Sequence, residues 1–308
     1  MHTHSHSPAG GQTIARLALS LGLTGLFVFF EAAAGWWGNS LALLTDAAHN
    51  LTDVIALGLT WYALRLASRP ANANRTFGYH RAGILVALVN STTLVVIALG
   101  IFSEAYRRFL APPAVNSGIL IGVGLVAFLI NLVTALLVKA GSEQDLNLRS
   151  AFLHLMGDVL STIGAVAAGV VIYFTNWNWL DPLVSVLIGL LILWNAWGIL
   201  REAIDILLES TPRDVDLAEM VTEMQRVTGV LGVHDLHVWS LTQGLRSMSA
   251  HILTEDISIS AGKRIQAEIN ELLTHRYQIA HATLQLECVG CQPDLYCDLC
   301  EPAHQHSN

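Results

Sequence analysis

The sequence predicts a polytopic α-helical membrane protein that ends in a small C-terminal α/β domain. Of its 308 residues, 53% are hydrophobic and only 13% are charged. Most of the charged residues lie in the last third of the chain or in short connections between long apolar stretches. Apolar stretches of this length are typical of membrane-spanning helices. The net charge of −8 argues against a nucleic acid partner.

Six apolar stretches are long enough to cross a lipid bilayer as helices. These predicted spans are residues 13–37, 41–67, 82–106, 116–138, 150–174 and 183–208. Tryptophans occur in two of the short turns between them, at 35–40 and 175–182, and tryptophan favours the membrane interface.

The distribution of basic residues predicts the orientation of the chain. An even number of spans places both termini on one side, and the basic residues concentrate in the connections 68–81 and 139–149 on that side. The opposite side has Arg107 and Arg108. Because Lys and Arg favour cytoplasmic loops, we expect both termini in the cytoplasm. The polar, His-rich start of the chain lacks the basic segment of a signal peptide, so we expect no cleavable signal peptide. We expect a multi-pass protein of the cell (inner) membrane.

Beyond the last span, the periodicity of apolar residues changes to that of a small α/β domain. The predicted order is helix, strand, strand, helix, strand, over 215–226, 234–241, 246–253, 260–275 and 282–288. This order predicts an open-faced α/β sandwich. The predicted domains are a His-rich N-terminal segment at 1–12, a membrane domain at 13–209 and a C-terminal domain at 210–308.

One spacing, His-x-x-x-Asp, occurs twice inside the apolar stretches, at His49 and Asp53 and again at His154 and Asp158. Positions i and i+4 share one face of a helix, so each pair presents an imidazole and a carboxylate together. Two such helices facing each other would offer a tetrahedral ligand set that suits zinc. The alternative is that these are hydrogen-bonded packing residues. Ionisable groups inside a membrane normally line a pathway or a site, and the repetition favours the metal interpretation.

These residues resemble the cation diffusion facilitators, in particular their zinc-transporter branch, over nearly the whole chain. The most specific segments are SLALLTDAAHNLTD at 40–53, RTFGYHR at 75–81, the second His-x-x-x-Asp pair, and HDLHVW at 234–239. The resemblance implies a homodimer of six-helix protomers, a ferredoxin-like cytoplasmic domain, and export of a divalent metal in exchange for protons. It implies a transporter and not an enzyme.

By this resemblance, His49, Asp53, His154 and Asp158 form the transport site, and a His at the first of these positions is similar to the zinc-selective members. A second metal site in the cytoplasmic domain is implied at His234, His251 and Glu287, with His237 close by. If 234–241 is a regular strand, His234 and His237 lie on opposite faces, so only one would join His251. The alternative is a solvated histidine at a strand edge.

The resemblance also implies contacts between the loops and the cytoplasmic domain. In some zinc members a histidine at the position of His80 faces one at the position of His281, at the mouth of the cytoplasmic cavity; the alternative is that His80 is a surface loop residue. A charge lock between Arg81 and Glu209 is expected as well, with Asp205 as the rival partner of Arg81.

Four cysteines near the C-terminus form two Cys-x-x-Cys pairs. Such pairs favour zinc, and a cytoplasmic address disfavours disulfides. The second pair resembles a terminal pair of vesicular zinc transporters, which captures metal together with a His-containing N-terminal segment of the other protomer. The candidates for this tail site are Cys288, Cys291, Cys297 and Cys300, with His2, His4 and His6, or with His304 and His306. The alternative for the N-terminal histidines is a disordered tail.

We therefore expect efflux of zinc, and of cadmium or cobalt as further substrates, by proton antiport across the lipid bilayer. Zinc is expected both as the transported ion and as an ion bound in the cytoplasmic domain. Two other classes fit parts of the sequence: a membrane-anchored zinc sensor and a membrane zinc hydrolase. A hydrolase would use three protein ligands and an open water position, and the sequence has no His-Glu-x-x-His motif.

Overall fold

The computed structural model describes residue 22 and residues 25–139 and 146–288. The chain divides into two compact units. Of the described residues, the first unit contains those up to 63 together with those within 86–200, and the second contains 64–85 together with those from 201 to 288.

Long helices dominate the first two thirds of the described chain. They are α1 (Gly25–Trp37), α2 (Leu41–Ala67), α3 (Ala82–Leu110), α4 (Ser117–Lys139), α5 (Leu146–Thr175) and α6 (Leu180–Leu207). Among the described residues, four helical segments are long and apolar enough to cross a membrane, within α3, α4, α5 and α6. Helix α2 is of similar length and is continuous, but its N-terminal half is less apolar because it contains several buried polar side chains. Of the first predicted span, 13–37, the structure describes residue 22 and residues 25–37.

The helices extend the predicted spans by a few residues at several ends. Helix α6 begins at Leu180, three residues before the predicted start. Asp181 and Pro182 look like turn residues in the sequence, but they form the first turn of the helix. Proline is tolerated there because the N–H group that it lacks would have no partner within the helix.

Helices α4 and α5 approach each other closely in the first unit. A side chain at Gly124 would place its Cβ 2.8 Å from Cγ2 of Val166, and one at Gly169 would come within 2.9 Å of Cγ1 of Ile121. Small residues at the contact allow helix backbones to approach, as is common between membrane helices. This contact holds α5, which carries Asp158, against α4.

The second unit contains the predicted α/β sandwich. Its elements are α7 (Leu217–Gln225), β1 (Gly232–Thr242), β2 (Leu245–Thr254), α8 (Ile259–Tyr277) and β3 (Ile279–Cys288). Strand β2 lies in the middle of the sheet, antiparallel to β1 and parallel to β3. The predicted order of helices and strands is therefore confirmed.

Local signals explain why the elements of this unit begin and end where they do. The carboxylate of Asp216 caps α7 by accepting hydrogen bonds from the N–H groups of Ala218 and Glu219. Gly244, at φ 83°, allows the tight turn between β1 and β2. The apolar faces of α7 and α8 pack on one face of the sheet around residues such as Met248 and Ile269.

Candidate metal sites

Helices α2 and α5 bring together three of the four residues of the predicted intramembrane site. Nε2 of His49 lies 3.6 Å from Oδ2 of Asp53 and 3.4 Å from Oδ1 of Asp158. His49 and Asp158 are buried, and Asp53 is half-buried. His154 lies one turn before Asp158 in α5, and its side chain is outside the described part of the structure.

The separations within this group fit a small divalent ion. Ligand atoms placed about 2.0–2.2 Å from a tetrahedral zinc ion lie roughly 3.3 Å from one another. The two distances from His49 are close to that value. Helical spacing explains the first, because Asp53 follows His49 by one turn. The second depends on how α5 packs against the rest of the first unit.

Two further acidic residues, which were not predicted as ligands from the sequence, lie beside this group. Glu31 of α1 is fully buried, and its neighbour Asp46 of α2 is 3% exposed. Oδ2 of Asp46 accepts a hydrogen bond of 3.3 Å from the side-chain amide of Asn50. A signal for Asp46 was present in the sequence: Asp46, His49, Asn50 and Asp53 have the spacing of one helix face.

The strand register of the second unit assembles a second candidate metal site. His234 of β1 pairs directly with His251 of β2. Glu287 of β3 lies two positions beyond Gln285, the residue of β3 that pairs with His251. Nε2 of His234 lies 3.1 Å from Oε2 of Glu287, and Nδ1 of His251 lies 3.0 Å from Oε1 of Glu287. One ligand atom of each residue lies within 4.8 Å of the other two. Imidazole and carboxylate donors at this spacing suit zinc.

A β-bulge changes the expected position of His237. The register of β1 shifts between His234 and His237, and Asp235 takes a φ of 47° there. The neighbouring residues Leu236 and Val238 belong to the hydrophobic core. The extra residue therefore places both histidines on the face opposite the core, whereas a regular strand would separate them. The expectation of opposite faces was wrong because it assumed a regular strand.

Asp235 links His237 to the second site. Its Oδ1 lies 3.0 Å from Nε2 of His237, and its Oδ2 lies 3.4 Å from Nε2 of His251. His234 and His251 both contact Glu287 directly. His237 is connected to His251 by the carboxylate of Asp235, which contacts both histidines.

Three of the residues for which contacts were expected, Arg81, Asp205 and His281, have partners within the second unit. Nη2 of Arg81 donates a hydrogen bond of 2.9 Å to Oε1 of Glu209, while Asp205 pairs with Arg213 instead. The rings of His281 and Phe77 are nearly perpendicular, at 84°, with their centres 6.0 Å apart.

His80 is exposed and lines an open groove of about 970 Å³ within the second unit. The groove is also lined by His237 and Trp239. His281 is not among the residues that line this groove in the described part of the chain. The metal role predicted for His80 and His281 stays a prediction.

The predicted tail site falls mostly outside the described residues. Cys288 ends β3 and is an exposed free thiol. The residues outside the described part are Cys291, Cys297, Cys300, His2, His4, His6, His304 and His306.

Comparison with known proteins covers both units. Residues 17–208 match the family model of the cation efflux transmembrane domain, and residues 212–289 match that of the cation efflux protein, cytoplasmic domain. The chain is similar to the metal cation efflux system protein CzcD of Cupriavidus metallidurans, with 38% identity over 291 residues, covering 94% of this chain and 91% of the relative.

Two other relatives match at similar levels. The zinc transporter ZitB of Escherichia coli is 37% identical over 310 residues, covering 100% of this chain and 97% of the relative. The cadmium, cobalt and zinc/H(+)-K(+) antiporter of Bacillus subtilis is 35% identical over 303 residues, covering 95% and 96%. With both family models matched along the chain, the protein belongs to the cation efflux family, the cation diffusion facilitators, and has a multi-pass membrane domain followed by a cytoplasmic C-terminal domain.

Proposed function

We propose that this protein exports divalent metal cations, zinc foremost, from the cytoplasm in exchange for protons. The observation that carries the proposal is the convergence of His49, Asp53 and Asp158 from two helices of the membrane domain. The names of the relatives support the same activity, since they include a zinc transporter and a cadmium, cobalt and zinc/H(+)-K(+) antiporter. Cadmium and cobalt are the further substrates that we propose.

The charge of the transport site explains how an ion can cross. We assign His49, Asp53, His154 and Asp158 to this site. Two carboxylates balance the charge of one divalent ion, and two neutral imidazoles complete a tetrahedral set. A neutral, fully coordinated site lowers the cost of holding a divalent ion inside a medium of low polarity.

The same ligands couple metal to protons. Carboxylate and imidazole groups must lose their protons before they bind metal, so binding releases protons and protonation expels the metal. When the site faces the cytoplasm, zinc displaces protons from it. When the site faces outward, protons enter and zinc leaves. Movement of the helices relative to one another alternates the two states.

The cytoplasmic domain would hold resident zinc through His234, His251 and Glu287, with His237 nearby. The donor types and their separations fit this ion. Bound zinc would link three strands of one sheet and so stabilise the folded domain. Within this proposal the protein works as a homodimer in the cell (inner) membrane with both termini in the cytoplasm. The cysteine tail, the N-terminal histidines, and the pair His80 and His281 are further candidate metal ligands.

A flux measurement tests this function against the alternatives of a zinc sensor and a zinc hydrolase. The purified protein is placed in sealed lipid vesicles that contain a zinc-sensitive dye, and zinc is added outside. We expect faster zinc uptake when the lumen is more acidic than the outside, and loss of that acceleration when a protonophore collapses the gradient. Uptake no faster than in protein-free vesicles would leave only the sensor or hydrolase, and uptake indifferent to the gradient would exclude antiport.

A further inference from the structure

A buried carboxylate of α6 caps the N-terminal end of α2, the helix that carries His49 and Asp53. Asp181 is fully buried. It accepts hydrogen bonds from the hydroxyl of Ser40 at 2.6 Å, the N–H of Leu41 at 2.6 Å and the N–H of Ala42 at 3.2 Å. The first N–H groups of a helix have no partner within the helix. Here a residue about 140 positions away satisfies two of them.

Arg108 of α3 extends this contact to a third helix. Its Nη1 lies 3.6 Å from Oδ2 of Asp181 and donates a hydrogen bond of 2.7 Å to the carbonyl oxygen of Asn39. Its Nε donates to Glu104 at 3.1 Å. Helices α2, α3 and α6 are therefore joined at one end.

This link goes beyond what capping of α2 requires. Ser40, which directly precedes α2, already accepts a hydrogen bond of 3.3 Å from the N–H of Leu43 through its own hydroxyl. That is the usual role of a serine at a helix N-terminus. The contribution of Asp181 is to tie the helix end to α6.

We propose that Asp181 is a positioning residue for metal transport. It fixes the position of α2 along the helix axis and the rotation of α2 about that axis, and it thereby places His49 and Asp53 against Asp158. His49 and Asp53 follow Leu41 by 8 and 12 residues, which is roughly 12 and 18 Å along a helix. A shift or rotation of the helix end is carried along a rigid helix to both ligands. The distance of 3.4 Å between His49 and Asp158 leaves little tolerance for such a shift. This inference rests on the proposed transport function.

The test compares zinc transport by wild type and by Asp181→Asn in vesicles. Asparagine keeps the size of the side chain and one acceptor oxygen, but it loses the charge and places an NH₂ group among N–H donors. We expect the zinc concentration at half-maximal rate to rise about tenfold, as expected for loss of a charge-assisted hydrogen bond. The maximal rate should fall much less, and the ratio of cadmium to zinc flux should rise, because a loosely held site discriminates less by size.

Glu104→Gln is the matched control. It removes the other carboxylate partner of Arg108, is on the same helix as Arg108, and leaves the bonds of Asp181 to α2 intact. We expect wild-type kinetics from it. Ser40→Ala removes one of the three bonds to Asp181 together with the bond that the Ser40 hydroxyl accepts from Leu43, and it should give a smaller rise of the half-maximal concentration in the same direction.

The outcomes separate positioning from a role in folding alone. A folded Asp181→Asn protein with wild-type half-maximal concentration and wild-type cadmium to zinc ratio would overturn the inference. If Asp181→Asn yields no folded protein, Ser40→Ala takes its place: a raised half-maximal concentration supports the inference, and an unchanged one overturns it. Absence of zinc flux in the wild type would instead overturn the proposed function.

Discussion

At the scale of single residues, His49 has a distinctive position, because its Nε2 lies within 3.6 Å of carboxylates from two different helices. An imidazole is a softer ligand than a carboxylate and holds one rigid nitrogen toward the ion. It therefore favours zinc in a small tetrahedral geometry. A carboxylate in its place would offer oxygen atoms with more freedom to accommodate a larger ion.

We therefore predict that His49→Asp raises the ratio of cadmium to zinc flux several-fold while zinc transport persists. The measurement is parallel uptake of both ions into vesicles at matched protein content and pH gradient. Asp53→Glu, which keeps the carboxylate and leaves His49 in place, serves as a comparison and should change the ratio less. An unchanged ratio in His49→Asp would mean that His49 binds the ion without selecting it.

Also at the residue scale, an ion pair in the cytoplasmic domain makes a pH-dependent contribution to stability. Arg246 donates to both carboxylate oxygens of Asp214, at 2.8 and 2.7 Å, and these hydrogen bonds hold the pKa of Asp214 below its ordinary value. A lowered carboxylate pKa stabilises the fold at pH values above the unfolded-state pKa of about 3.9. This contribution is lost as the pH falls through the lowered pKa. Because Asp214 is 67% exposed, it amounts to about 0.2–1 kcal/mol.

We predict that Asp214→Asn lowers the melting temperature slightly at pH 7 and at pH 5, and that the difference from wild type shrinks below about pH 4. Thermal unfolding of the purified protein at several pH values measures this. Asp256→Asn, at an exposed position between β2 and α8, is the control and should melt like wild type. A deficit of Asp214→Asn that grows as the pH falls would contradict the assignment.

At the scale of elements, the contact between α4 and α5 depends on the absence of side chains at two positions. The Cβ of an alanine at 124 would lie 2.8 Å from Cγ2 of Val166. Valine has one strongly preferred rotamer in a helix, so its methyl group cannot easily turn away. The helices would have to separate, and overpacking of this kind costs about 1–3 kcal/mol.

We predict that Gly124→Ala lowers the melting temperature, whereas Gly122→Ala does not. Gly122 lies on the same helix, and a Cβ built there meets nothing within 4 Å. Since alanine is the better helix former, Gly122→Ala should melt at the same temperature or slightly higher. Equal decreases in melting temperature in the two variants would show that an effect common to both added methyl groups, such as altered lipid contact, and not the approach of α5, decides the result.

The elements also show how far the sequence alone leads. The extents of the long helices and the order α, β, β, α, β were predictable, because each depends on local apolar periodicity. The pairing of His49 with Asp53 was predictable for the same reason. The start of α6 was not predicted correctly, because Asp181 and Pro182 are residues typical of a turn. In the structure they lie in the first turn of the helix.

Long-range contacts and irregular geometry were beyond the sequence. The bonds from Ser40 and Leu41 to Asp181 join residues about 140 positions apart, and no periodicity signals them. The bulge at Asp235 reverses the face of His237, and a strand pattern read with period two cannot detect one inserted residue. The burial of Glu31 beside Asp46 likewise follows from how α1 packs on α2.

At the scale of the whole molecule, the two candidate metal sites have different expected roles. The site of His49, Asp53, His154 and Asp158 would carry the ion through the membrane domain. The site of His234, His251 and Glu287 would hold an ion that stays with the protein. Zinc that binds only the folded domain would raise its melting temperature by mass action. Loss of that site should then reduce transport without abolishing it.

The decisive test of metal transport through the site of α2 and α5 is zinc flux in vesicles driven by a pH gradient. It compares wild type, Asp158→Asn and His251→Ala at matched amounts of folded protein. We predict that Asp158→Asn abolishes flux, because one carboxylate cannot balance a divalent ion, whereas His251→Ala retains a reduced flux that still depends on the gradient. Flux near the wild-type rate in folded Asp158→Asn would contradict the account, because the ion would then cross the membrane without the site formed by α2 and α5.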